Sequence, residues 1–318
     1  MKKSVFRAAV FTALCIVLTL PAWAAKMLVP VGKVVGLSLA EGSVTVVAFD
    51  DQLGSGVRDA GLQIGDEIVS IDGKAVDSAA DLHRALEQSD GRVQLVLERD
   101  GRQYQIAVNP AVTDQGPRLG VYIREGVTGI GTVTYYDPDT GNFGALGHGV
   151  SDAHGQLAQM NSGKIYPASV LSVKMGKVGQ PGQLKGSVSA VVPIGQLRLN
   201  CCSGVFGSCD GFSGEALPVG QAQKGPAKIL SNVSGNAVET FSVEIVKVNG
   251  EENENGRDLM LCVTDPALLD ITGGIVAGMS GSPIIQNGCL VGAVTHVLVN
   301  DPTTGYGIQI ENMLDAAA

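Results

Sequence analysis

The stretch GGIVAGMSGSPII, residues 273–285, sets Ser280 and Ser282 two positions apart among glycines and closes on Pro283. Glycine reaches backbone angles that other residues avoid, so such a run reads as a sharp turn. Asn287-Gly288 follows, a pair suited to a two-residue hairpin, and then the apolar run GCLVGAVTHVLV, residues 288–299. The local reading is therefore a tight turn feeding a β-hairpin. A hydroxyl held on a turn of this kind is a candidate nucleophile, and these letters alone leave the two serines equal.

The remainder of the chain agrees with a β-rich fold. It has 318 residues, 43 of them glycine, and only 4% aromatic residues, with short Val/Ile-rich runs between turn signals. That length suggests two domains. A net charge of −9 without a basic cluster excludes non-specific nucleic-acid binding. Residues 1–24 carry Lys2, Lys3 and Arg7, then the apolar run Ala8–Leu20 and the small residues Ala22 and Ala24. This is the pattern of a signal peptide, or of a retained membrane anchor, and it places the working part outside the cytoplasm. Of six cysteines, Cys15 falls in that leader, which leaves Cys201, Cys202, Cys209, Cys262 and Cys289. An odd number cannot pair fully, and NCCSGVFGSC (200–209) lacks zinc-ligand spacing. Small, buried residues with at most one bridge are expected, and no metal or cofactor.

Residues 31–110 form one unit. KVVGLSLAEGSVTVVAF (33–49) alternates like strands, and RDAGLQIGDEIVSIDGKAV (58–76) sets turns at Gly61, Gly65 and Asp66 before a short strand. Ser78 and Asp81 make a capping box for a helix running to about Gln88, and Asp100-Gly101 turns a hairpin. This order, with AGLxxGDxIxxIDG at its centre, resembles a PDZ domain. The resemblance implies a carboxylate-binding loop at Gly36, Leu37, Ser38 and Leu39, and a groove for a peptide or chain end that adds a strand beside the helix. His83 would be a surface or groove residue of that helix. Residues 109–120 connect this unit to a second domain, residues 118–318, whose short strands suggest a β-barrel or sandwich.

Three places in the second domain could carry chemistry. His148 lies in FGALGHGVSD (143–152), where flanking glycines leave room for a general base. Gly278-Met279-Ser280-Gly281-Ser282-Pro283 is similar to the G-x-S-G-x-P frame of chymotrypsin-like peptidases. That frame makes Ser280 the nucleophile, assigns the oxyanion hole to the N–H groups of Gly278 and Ser280, and leaves Ser282 a turn residue. An orienting carboxylate could come from Asp265, Asp270, Asp301 or Asp152, and spacing does not choose among them. Asp265 before Pro266 reads equally well as a helix cap.

Taken together, GALGHGVSD, VTDPALLDITGGIVAGMSGSPI and VGAVTHVLVNDPTTGYGI resemble the sporulation stage IV B peptidase family. The resemblance implies a serine endopeptidase: a PDZ domain followed by a chymotrypsin-like β-barrel peptidase domain. His148 would be the base, Asp265 the orienting acid with Asp301 as the alternative, and Ser280 the nucleophile. It further implies a protein exported into the space between the forespore membranes that cleaves itself. Such a protein would then cut a membrane-bound regulator, so that a membrane-embedded protease activates a late sigma factor. Two other readings are a quality-control peptidase of the exported compartment and a non-catalytic PDZ adaptor.

Overall fold

A computed structural model of the chain describes residues 26–152, 155–188, 192–249 and 257–318. The expected leader, residues 1–24, lies outside these. From Lys26 the chain forms β1 (Met27–Pro30) and the sixteen-residue β2 (Val34–Phe49). The short helix α1 (Ser55–Asp59), β3 (Glu67–Ile71), β4 (Lys74–Ala75) and α2 (Ala79–Glu87) follow. Next come the hairpin β5 (Val93–Arg99) and β6 (Arg102–Val108), the small pair β7 (Ala111–Thr113) and β8 (Gly116–Arg118), and the second sixteen-residue strand, β9 (Val121–Tyr136).

The turn chemistry read from sequence appears in place. Ser78 caps α2 by accepting from the Asp81 amide at 3.2 Å. Asp100 and Gly101 both take positive φ, as do Asn287 and Gly288, so each pair turns its hairpin in the left-handed region. In the PDZ core, Val44, Val46, Ile68, Ile71, Leu82, Leu86, Leu95 and Leu97 pack together. Under it, fully buried Asp66 takes a bidentate grip on Arg99, with Nε–Oδ1 2.5 Å and Nη2–Oδ2 2.7 Å.

The rest of the chain builds two barrels. The first needs β10 (Asn142–Ala145), β11 (Ser162–Lys174), β13 (Gly195–Cys201) and β14 (Gly204–Cys209); β12 (Gln183–Val188) and β15 (Leu217–Pro218) pair outside it. Pairing runs β2–β9–β10–β14–β13–β11 and returns to β2, a closed ring around Val35, Leu37, Leu39, Val133, Phe143 and Ile165. The second is the closed barrel of β16 (Gly225–Ser234), β17 (Ala237–Val248), β18 (Leu259–Val263), β19 (Pro283–Gln286), β20 (Cys289–Leu298) and β21 (Asp301–Gln309). Helix α3 (Pro266–Thr272) precedes the serine turn, and α4 (Ile310–Ala317) follows β21. The fold is thus mainly β, a small α+β PDZ unit with a chymotrypsin-like double-barrel peptidase domain.

One expectation about the boundary is corrected. Gly36, Leu37, Ser38 and Leu39 do not form a PDZ carboxylate loop. They lie in the middle of β2, paired on one side to Ile130–Val127 of β9 and on the other to Tyr166–Gly163 of β11. Both backbone edges are taken up by barrel ladders, so no amide there is left to hold a chain end. Only the second half of β2, Val44–Phe49, serves the PDZ sheet. The PDZ unit is therefore an insertion between two strands of the first barrel, a topology hidden because both halves of β2 show the same strand pattern.

Candidate active site

The two barrels meet at a cavity of about 800 Å³ lined by His148, Gly278, Ser280 and His296. Leu37, Leu39, Val127, Ile130, Leu146 and Leu157 make most of its wall apolar, and Arg257 brings a cation to it.

The serine turn is held by its glycines. Gly278 and Gly281 have φ of +100° and +96°. A side chain at Gly281 would strike the Thr132 carbonyl and come within 2.6 Å of the Leu146 amide, both rigid backbone. Three amides of the turn are committed: Met279 N to Val276 O, Gly281 N to Val294 O and Ser282 N to Met279 O. The amides of Gly278 and Ser280 take no such partner among the described residues, which leaves them able to meet a developing oxyanion. Across the turn, Thr132 of β9 donates from its amide to Ser280 O at 3.2 Å and from Oγ1 to Gly278 O at 2.8 Å.

The two serines occupy different surroundings. Ser280 is half-buried in the cavity wall, and its Oγ donates to Thr295 O at 2.6 Å. Ser282 is fully buried, its Oγ 3.1 Å from Ser231 Oγ inside the second barrel.

His148 follows Leu146 and Gly147, both at φ +69°, a left-handed pair that swings the imidazole into the cavity. Its Nδ1 is 2.9 Å from Gly149 O. A carbonyl only accepts, so Nδ1 carries the proton and Nε2 is left as the basic nitrogen. Burial pushes the His148 pKa below the ordinary histidine value, and the bond to Gly149 O offsets part of that.

The hydrogen bond of this imidazole runs to a backbone carbonyl, and the carboxylates that the sequence offered are found in other surroundings. Asp265 caps α3: Oδ2 accepts from Ser242 N at 3.0 Å, and Oδ1 from Ala267 N at 3.0 Å and Leu268 N at 3.4 Å. It does not line the cavity. Its described hydrogen bonds are those of a helix cap, and none of them joins it to His148. Asp301 is held in its own turn by Thr303 and Thr304, Asp270 is exposed on α3, and Asp152 accepts from Gln156 N. The Ser242 amide, with those of α3, holds the Asp265 carboxyl below the usual range. Asp265→Ala should therefore cost roughly 1 kcal/mol of stability at neutral pH, the usual value of a lost N-cap. The deficit should narrow as pH falls below about 4 and wild type loses the ionised cap, with kcat of the folded fraction unchanged. Urea unfolding across pH, beside activity, measures both.

The residue that sequence reasoning missed is His296. Its ring centroid is 5.1 Å from that of His148, and its Nδ1 is buried without a partner among the described residues. Burial first, then His148 and Arg257, lower its pKa to about 4, so it stays neutral where His148 can act as a base. The quoted run VGAVTHVLV contained it as one strand residue among others. Only the register, Pro283 opposite Ala293, shows that β20 returns to the serine turn.

The described cysteines are all unbridged. Cys202 is exposed, and the other four are half-buried.

Comparison with known proteins places these observations. A model of the SpoIVB peptidase S55 family matches residues 115–314, and a PDZ domain model matches residues 58–99. Relatives include a zinc-metalloprotease-named protein of Bartonella henselae, 32% identical over 29% of this chain and 27% of its own length. Another, of Rhizobium meliloti, is 31% identical over 40% of this chain and 32% of its own length. The chain thus spans about a third or less of those relatives. Among the described residues, no group of three or more His, Cys, Asp or Glu is placed to hold a metal ion, so the residues do not fit the zinc of those names. Among solved structures, the PDZ domain of an SdrC-like protein from Listeria monocytogenes matches 26% of this chain and 87% of its own, at 22% identity and TM-score 0.23. The Rv3671c protease of M. tuberculosis in its active form matches 59% and 74% respectively, at 16% identity and TM-score 0.33. The family match takes in His148, Ser280, His296 and the turn that joins them, and with more than half of the sequence inside it the chain belongs to the SpoIVB peptidase S55 family.

Proposed function

We propose that the protein is a serine endopeptidase in which Ser280 is the nucleophile and His148 the general base. The observation that carries this reading is the shared cavity, where Ser280, the basic Nε2 side of His148 and two uncommitted amides converge. In the reaction Ser280 Oγ turns from Thr295 O toward His148 and gives up its proton as it attacks the peptide carbonyl. The Gly278 and Ser280 amides take the oxyanion. His148, now protonated, hands the proton to the leaving amine, and water then hydrolyses the acyl-enzyme. Gly149 O keeps the ring in the required tautomer, and neutral His296 sets no charge against the imidazolium. The apolar wall suits an extended substrate with apolar side chains.

The family membership supports a finer reading. The protein acts in the exported space of a sporulating cell, cleaves itself, and cuts a membrane-bound regulator so that a membrane-embedded protease can activate a late sigma factor. Labelling with a fluorophosphonate tests the chemistry. Modification at Ser280, found by peptide mass spectrometry and lost on prior heat denaturation, is the expected result. Absence of labelling together with absence of casein hydrolysis would leave the PDZ adaptor as the better account.

A further inference from the structure

A trans peptide unit points its carbonyl and the following amide in opposite directions, so whatever grips the carbonyl aims the amide. Each amide offered for the oxyanion is aimed in this way. Ala277 O accepts from the Leu184 amide of β12 at 2.8 Å, which turns the Gly278 amide the other way. Met279 O accepts from the Ser282 amide at 2.9 Å, which does the same for the Ser280 amide. Between these two units lies the Gly278–Met279 peptide, which sets their spacing and relative tilt. Its amide donates to Val276 O at 3.1 Å, and its carbonyl accepts from Thr132 Oγ1 at 2.8 Å. Gly278 stands at φ +100° and has no Cβ to restrict rotation, so this peptide depends on an outside grip.

Thr132 supplies that grip from the other barrel. It is fully buried in β9, opposite Val34 of β2. Its amide donates to Ser280 O at 3.2 Å, beside the bond from its hydroxyl to Gly278 O. Its own carbonyl accepts from the Leu146 amide at 3.1 Å, and Leu146 opens the left-handed pair that leads to His148. One residue thus touches the nucleophile's turn twice and the base's loop once. The two backbone bonds survive any substitution that keeps the strand, whereas the hydroxyl bond belongs to the side chain alone.

We propose that Thr132 is a positioning residue of the peptidase centre, its hydroxyl holding Gly278 O so that the Gly278 and Ser280 amides stay set for one oxyanion. The role rests on the serine peptidase reading above. Without the hydroxyl the Gly278–Met279 peptide is free to rotate, and the two amides no longer converge on one oxygen. The negative charge they meet develops only on the way to the transition state, so the loss falls on kcat and leaves KM in place.

The test compares the full-length wild type with Thr132→Val, Thr132→Ser and Thr132→Ala. Valine keeps the branched shape and both backbone bonds but has no donor, and serine keeps the donor. Casein hydrolysis gives kcat and KM per folded chain, with the folded fraction taken from urea unfolding, and the rate of fluorophosphonate labelling at Ser280 gives a second measure. Thr132→Val should lower kcat about 10- to 100-fold, less than the 10²–10³ of a lost oxyanion donor because both amides remain in the chain. KM should stay within about twofold, and labelling should slow in parallel with kcat. The acid limb of the pH profile should keep its midpoint, since the hydroxyl touches the turn and not the imidazole. Thr132→Ser should stay within about threefold of wild type. Should the valine chain not fold, Thr132→Ala lacks the same donor without filling the space, and the same loss is expected of it. A donor-less chain with wild-type kcat, a serine chain as slow as the valine chain, or a loss carried by KM would each overturn the proposal. A wild type that neither hydrolyses casein nor takes the label would instead overturn the peptidase reading, and the positioning role with it.

Discussion

Ser280→Ala is expected to lower kcat by roughly 10⁴ to 10⁶-fold, the loss seen when a nucleophile acting in concert with its base is removed. Ser282→Ala is the informative partner experiment. Its hydroxyl is fully buried against Ser231 Oγ, so removing it strands a polar group and should cost about 1–3 kcal/mol of stability. The folded fraction should nonetheless keep its kcat. Steady-state hydrolysis beside urea unfolding separates the two effects. A Ser282→Ala chain that is stable but inactive would reverse the assignment.

His148→Ala should cost about as much as the loss of the serine, because the proposed mechanism makes the two act as one unit. The wild-type pH profile carries a second signature. His148 works as a base only when neutral, and burial lowers its pKa. The acid limb of kcat/KM should therefore have its midpoint below 6.5, with activity present above that midpoint and lost as pH falls through it. Removing the neighbouring ring with His296→Ala opens the site to water and should move the midpoint back toward 6.5. An unmoved midpoint would mean that His296 does not shape the surroundings of the base.

Much of this architecture could be read from the residues, since local chemistry decided it. Ser78, Asp100-Gly101 and Asn287-Gly288 specify their cap and turns within a few positions, and the structure uses each of them. The glycines around Ser280 belong to the same class, for positive φ at positions 278 and 281 is a local demand. The misreadings were of another kind. Gly36–Leu39 looked like part of the PDZ unit because alternation does not record which neighbour a strand pairs with. Asp265 looked like a triad acid or a cap, and only the position of Ser242 across from α3 decided for the cap. His296 was illegible because its relation to His148 arises from strand register and the meeting of two barrels.

The insertion of the PDZ unit between Leu39 and Val127 also bears on how the peptidase comes to fold. These two residues face each other in the first barrel, yet the whole PDZ unit separates them along the chain. As an unstructured loop, that length would burden closure of the ring with chain entropy. Once folded, the PDZ unit holds Val44–Phe49 against Val121–Glu125 and delivers the two strands already in register, so that the barrel needs only to extend a ladder begun elsewhere. Deleting the small domain is therefore expected to slow or prevent closure of the first barrel, which refolding of the truncated chain beside the full one would measure.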